Sequence, residues 1–186
     1  MIISVFRICF IVICLLIPFR TLAGNNNEYN SKELINGDFT IKENNKPKAW
    51  HFHGSDGMMT LDSQTSYKGN SSLKLSLDEK SDEEIYIEQS VDVEASKLYE
   101  IAGVIKSDKL ENSYAGIIVI FKDKNGKTLK HDNLPYVSKT TNWIYQSKWI
   151  RSPNNSEIAI VKCFLKGTGV VWFNYIYFSS KIRGGY

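Results

Sequence analysis

Short runs of apolar and polar residues follow one another along most of this chain, and no segment keeps a 3.6-residue apolar period over a helix length. The runs fall at 50–52, 58–61, 72–77, 85–93, 98–106, 114–122, 143–150, 157–165 and 169–178. Turn-forming stretches separate them: Gly54-Ser55-Asp56-Gly57, Lys68-Gly69-Asn70-Ser71, Asp123-Lys124-Asn125-Gly126, Ser152-Pro153-Asn154-Asn155 and Lys166-Gly167-Thr168-Gly169. Tyr, Val, Ile and Trp dominate the runs, which suits pleated surfaces. The pattern predicts an all-β protein, a two-sheet antiparallel β-sandwich in a single domain over 33–180.

Alternation assigns faces. Ile85, Ile87, Gln89, Val91 and Val93 share one side of their run, and Tyr86, Glu88, Ser90 and Asp92 the other. Tyr99, Ile101, Gly103 and Ile105 alternate with Glu100, Ala102, Val104 and Lys106. Residues 115–121 are apolar on both sides, which marks a central strand covered twice or lining a groove. Asp123-Lys124-Asn125-Gly126 carries hairpin chemistry and joins 114–122 to 127–130.

The N-terminus breaks the pattern. Arg7 precedes an apolar run from Ile8 to Ile17, then Pro18 and the small-residue stretch Thr21-Leu22-Ala23. This reads as a secretory signal over 1–23, too short for a membrane span of about 20 apolar residues. Residues 24–32 form a flexible polar leader, and 181–186 a C-terminal tail. The segment 1–23 holds Arg7 and Arg20 and no acid, so its removal lowers the formal charge from +3 to +1. A near-neutral chain is a poor partner for nucleic acid, whose binding rests on neutralising many phosphates. Cys9 and Cys14 leave with the signal, and Cys163 is expected as an inert core thiol with no disulfide partner. The expected location is secreted, extracellular or periplasmic. The Asn70-Ser71-Ser72 and Asn154-Asn155-Ser156 sequons matter only in a host that glycosylates.

An ordered series of motifs now becomes informative: Leu34-Ile35-Asn36-Gly37-Asp38-Phe39, Pro47-Lys48-Ala49-Trp50, Gly69-Asn70-Ser71-Ser72-Leu73, Ile87-Glu88-Gln89-Ser90-Val91, Lys97-Leu98-Tyr99, Thr141-Asn142-Trp143 and Gly169-Val170-Val171-Trp172-Phe173-Asn174-Tyr175-Ile176. In this order and spacing the chain resembles the carbohydrate-binding modules appended to secreted cellulases and xylanases, within the wider galactose-binding-like jelly rolls. The resemblance runs from about Leu34 to Phe178. It implies a two-sheet jelly roll, a sugar site in a groove on one sheet or in a pocket among edge loops, and a structural calcium near the first and last strands. Asn36, Asp38 and Asn174 match the metal region, but Thr40 and Asn174-Tyr175 stand where the family has acids. The expectation is a weak calcium site or none, with no other cofactor.

Sugar recognition needs flat rings against pyranose faces and polar groups beside them. Four tryptophans and ten tyrosines supply rings, and most are expected in the core. Trp172 shares parity with Ile176 and Phe178, and Tyr99 with Ile101; both are assigned to packing, as is Trp143. The ligand candidates are Trp50, flanked by His51 and His53 near a loop rim, and Tyr86 with Glu88 on the polar side of their strand. Tyr114, at the mouth of the doubly apolar strand, joins them, as do Tyr145 and Gln146, between which parity does not decide. The acids of 78–84 read as a solvated turn rather than a catalytic pair, and His51-x-His53 as solvent-facing. The reading is a secreted non-catalytic protein recognising a poly- or oligosaccharide through exposed rings. The alternative is a structural or protein-interaction jelly roll without sugar binding.

Overall fold

A computed structural model describes residues 33–55, 58–78 and 84–181. The signal segment, the leader, the residues after 181 and the acids of 79–83 lie outside the described residues.

Among the described residues every regular element is a strand. A small hairpin of β1 (Lys42–Glu43) and β2 (Lys46–Pro47) precedes the sandwich. The rest comprises β3 (His51–His53), β4 (Met59–Asp62), β5 (Ser72–Leu77), β6 (Glu84–Asp92), β7 (Leu98–Lys122), β8 (Thr128–Asn133), β9 (Thr141–Arg151) and β10 (Ile158–Ser179). Residues predicted as two pairs of strands are instead two very long ones, because 107–113 and 166–168 stay paired. β7 and β10 run antiparallel and each contributes to both sheets.

The front sheet has the order β3–β6–β10–β7–β8, using the first half of β10 and the second half of β7. The back sheet is β4–β5–β10–β7–β9, using the other halves. This is the antiparallel two-sheet sandwich that the pattern of runs predicts, in the jelly-roll form that the resemblance implies. The passage from sheet to sheet lies where Thr168 opposes Glu111, with register shifts on both sides. Lys109 and Asn112 take positive φ there. Opposite them, Gly169 has φ +129°, and a Cβ on it would stand 2.6 Å from the Lys109 carbonyl oxygen. Only glycine lets the two bent strands approach this closely.

Between the sheets, Leu73, Ile87, Ile101, Ile117, Val161 and Phe173 are fully enclosed. Tyr99 stacks on Phe178 at 5.0 Å and accepts the Glu94 N–H (2.8 Å), as its packing assignment expects. Cys163 is buried in this layer, and burial pushes its thiol pKa far up, so it stays protonated and inert.

Polar side chains close the open edge between β8 and β9. Lys130 (2.9 Å) and Lys148 both pair with the half-buried Asp132. Burial alone would raise the Asp132 pKa, but the hydrogen bonds and charges of the two lysines hold it below the ordinary carboxylate value.

Candidate functional site

The six ligand candidates do not form one site. Trp50 is only 6% exposed, packed on Phe39 (5.3 Å) and donating its indole N–H to the Asn36 carbonyl (3.1 Å). The placement near a loop rim is therefore corrected. His51 and His53 take the outer face of β3 beside Glu88 and Tyr86, so Trp50 and Phe52 turn inward. Gln146 opposes Gly103 on the inward side of β9, its side-chain oxygen buried and without a hydrogen-bond partner. Tyr145 points out from the back sheet and is 51% exposed. Tyr86, Glu88 and Tyr114 share the outer face of the front sheet.

On that front face, register sets His53, Tyr86, Phe164 and Gly116 side by side across four strands. At about 4.8 Å per strand this row spans roughly 15 Å. At one end, the Tyr86 ring lies against His53 (4.3 Å, 16° between planes), with the Lys162 ammonium 3.7 Å from its centroid. Lys162 pairs with Glu84, and His53 with Glu88 at 3.2 Å. At the other end Tyr114 and Tyr136 stand 5.5 Å apart at 33°, both edge-on to the buried Phe164 (5.7 and 5.5 Å). Tyr136 settles over Gly116, where a Cβ would come within 2.6 Å of its ring. These two tyrosines are 36% and 48% exposed.

Burial raises the Tyr86 pKa, and the charges of Glu88 and Glu84 add to it; burial, Tyr114 and Glu84 act alike on Tyr136. Both phenols stay protonated and available as donors. The next row, His51, Glu88, Lys162, Ile118 and Asn133, lays polar groups beside the rings. Chemically, the face offers two ring pairs, His53 with Tyr86 and Tyr114 with Tyr136, edged by donors and acceptors.

The back face was harder to read. Trp143, Tyr145 and Trp149 alternate outward along β9, and Trp172 lies on the same face of β10, between Lys74 and Lys106. Trp143 is half-buried on the outside rather than packed in the core. Trp172 is enclosed as expected, but on the outer side, its N–H held by Asp62 (2.8 Å). Its shared parity with Ile176 fails because a bulge at Tyr175, φ +53°, shifts the phase of β10.

The residues of the expected calcium region are mostly engaged with one another. The Asn36 side chain accepts the Ile41 N–H and donates to the Ile41 and Lys48 carbonyls, all at 2.9 Å. Asp38 caps Thr40 through its N–H (3.3 Å) and hydroxyl (3.0 Å). The Asn174 amide donates to the Ser71 carbonyl (2.6 Å), and the Ser71 hydroxyl to the Phe39 carbonyl (2.9 Å). Calcium takes six to eight oxygens; here an N–H already takes the Ser71 carbonyl, while the Asn174 side-chain oxygen is buried without a hydrogen-bond partner. No three His, Cys, Asp or Glu residues converge on a metal position among the described residues. Direct hydrogen bonds tie Phe39, β5 and β10 together.

No protein-family model matches the sequence, and no curated protein matches it significantly. Solved structures do match its fold. The enzymatically active domain of tailspike protein 4 of bacteriophage CBA120 aligns at 14% identity and TM-score 0.61, over 82% of this chain but only 22% of the tailspike chain. A family 61 carbohydrate-binding module solved with β-1,4-galactotriose aligns at 14% identity and TM-score 0.55, over 78% of this chain and 95% of the module. The C-terminal family 22 carbohydrate-binding module of Clostridium thermocellum Xyn10B aligns at 13% and 0.54, over 77% and 94%. The chain therefore shares the jelly-roll β-sandwich fold of these carbohydrate-binding modules.

Proposed function

We propose that this protein is secreted, non-catalytic and carbohydrate-binding, and that it holds a poly- or oligosaccharide across the front face. The observation that carries this reading is the exposed Tyr114–Tyr136 pair seated on Phe164, in line with Tyr86 and Glu88. Rings of this kind meet the C–H face of a pyranose, while Glu88 and Asn133 reach its hydroxyls. The fold supports the reading by its likeness to modules whose partners are glycans, one of them solved with a galactotriose. The signal segment 1–23 supports secretion, and a mature protein beginning at Gly24 by N-terminal sequencing would agree with it.

Affinity electrophoresis against xylan, β-1,4-galactan, mixed-linkage β-glucan and mannan tests the proposal. Retardation by at least one polymer is expected, weakened about tenfold by Tyr136→Ala. No retardation by any of the four overturns it and favours the protein-interaction alternative.

A further inference from the structure

The back face holds a second set of rings that a front-face ligand leaves unused. Tyr67, on the loop between β4 and β5, stands 5.9 Å from Trp143 at 58° and 6.3 Å from Tyr175 at 82°. Tyr67, Tyr145 and Tyr175, with Asp38, Lys68 and Tyr177, line a cavity of about 500 Å³. That volume falls within the roughly 300–1,000 Å³ of small-molecule sites.

The walls are held in place. Asp62 accepts the Gln64 (2.8 Å) and Thr65 (3.0 Å) N–H groups, which sets the turn leading to Tyr67. The Ser72 hydroxyl donates to the Thr65 carbonyl, and the Ser66 hydroxyl to the Gly69 carbonyl (3.2 Å). Tyr175 is turned outward by the bulge, in a left-handed conformation costly for a residue with a Cβ. The next residue is pinned by the Ile176 N–H donating to the Gly37 carbonyl (2.9 Å). Backbone strain fixed by its surroundings collects at ligand sites.

We propose that this cavity is a second saccharide site, which takes one sugar ring, free or at the end of a chain. Its rings meet at steep angles and form walls, so a flat polymer has no platform to lie on, whereas a single ring enters between them. One carboxylate, Asp38, and one ammonium, Lys68, share the lining. An anion would meet Asp38 and a cation Lys68, so the lining favours a neutral ligand with an apolar face and a polar edge. Sugar rings have that form.

The test uses the mature chain labelled with 5-fluorotryptophan, its four fluorine signals assigned by Trp→Phe substitutions. Methyl β-glucoside, methyl β-galactoside, methyl β-xyloside and methyl α-mannoside are the probes. At least one should move the Trp143 signal saturably. Tyr67→Ala should weaken that response about tenfold, with the other three signals in place to show an intact fold, and Asp38→Asn should weaken it as well. Tyr136→Ala on the opposite face should leave it unchanged. The site is overturned if no glycoside moves the Trp143 signal, or if Tyr67→Ala and Asp38→Asn both respond like the unaltered chain. A Trp143 response without polymer retardation leaves the back site standing and removes only the front one.

Discussion

The front and back faces are built on the same two strands, yet their rings do different things. On the front, Tyr114 and Tyr136 lie 33° from parallel on a buried Phe164 and form a platform. On the back, Tyr67 meets Trp143 and Tyr175 at 58° and 82° and forms a recess. On the front, register sets Tyr86, Phe164 and Gly116 in one row with Tyr114 in the row beside it, and the 134–140 connection lays Tyr136 over Gly116. The back rings come from irregularity, a loop on one side and a bulge on the other. Angle between planes, more than the number of rings, separates a surface for a polymer from a socket for a unit.

The largest expected separation comes from Gly116→Val. A Cβ there collides with Tyr136, so the ring lifts and polymer affinity falls at least tenfold, with an overpacking cost of about 1–3 kcal/mol. Glycoside titration of the same variant should show the back site unaffected.

Asp62→Ala acts on the other side. It removes hydrogen bonds from Gln64, Thr65 and Trp172 and should cost about 2 kcal/mol in urea unfolding, lowering glycoside affinity while polymer retention holds. Burial alone would raise the Asp62 pKa, but those bonds and the Lys74 charge bring it below its ordinary value of 3.8. A depressed folded pKa stabilises the protein above the unfolded value and loses that stabilisation as pH falls through the folded one. Unfolding followed below about pH 4 should therefore show stability falling with acid, less steeply in Asp62→Ala, with the remainder assigned to Asp132.

Lys162→Ala uncovers one face of Tyr86 and should tighten polymer binding a few-fold, read by the same electrophoresis. If affinity drops instead, the ammonium itself touches the glycan. The smallest shift is expected in Tyr175→Gly. Relief of a positive φ and loss of an edge-to-face contact are each worth about 1 kcal/mol and oppose one another. Melting should move by only about 2 °C while the back site weakens.

The sandwich was legible because alternation repeats over many residues. β6 shows it best, with Ile85, Ile87, Gln89 and Val91 buried and Tyr86 and Glu88 outward as read. Function was less legible where parity is short or broken. Trp50 immediately precedes a three-residue strand, too brief to fix a face without its neighbour β6. On β9 the inward row carries Gln146 and Lys148, so polarity points the wrong way at this sheet edge, and Trp143 looked like core when it is outside. Tyr67 and Tyr136 stand on connections, where no period exists to read. A stronger signal was present in Trp143-x-Tyr145 and Trp149, three rings of equal parity on one strand.

The sharing of β7 and β10 between the sheets restricts how the gene can change length. One codon added within 109–113 would turn over everything downstream on β7, sending Ile117, Val119 and Phe121 into solvent and Ile118 and Ile120 inward. Drift by insertion is therefore confined to connections such as 63–71 and 134–140. The Tyr67 and Tyr136 segments are thus the parts of this molecule freest to acquire new preferences while the frame stays fixed.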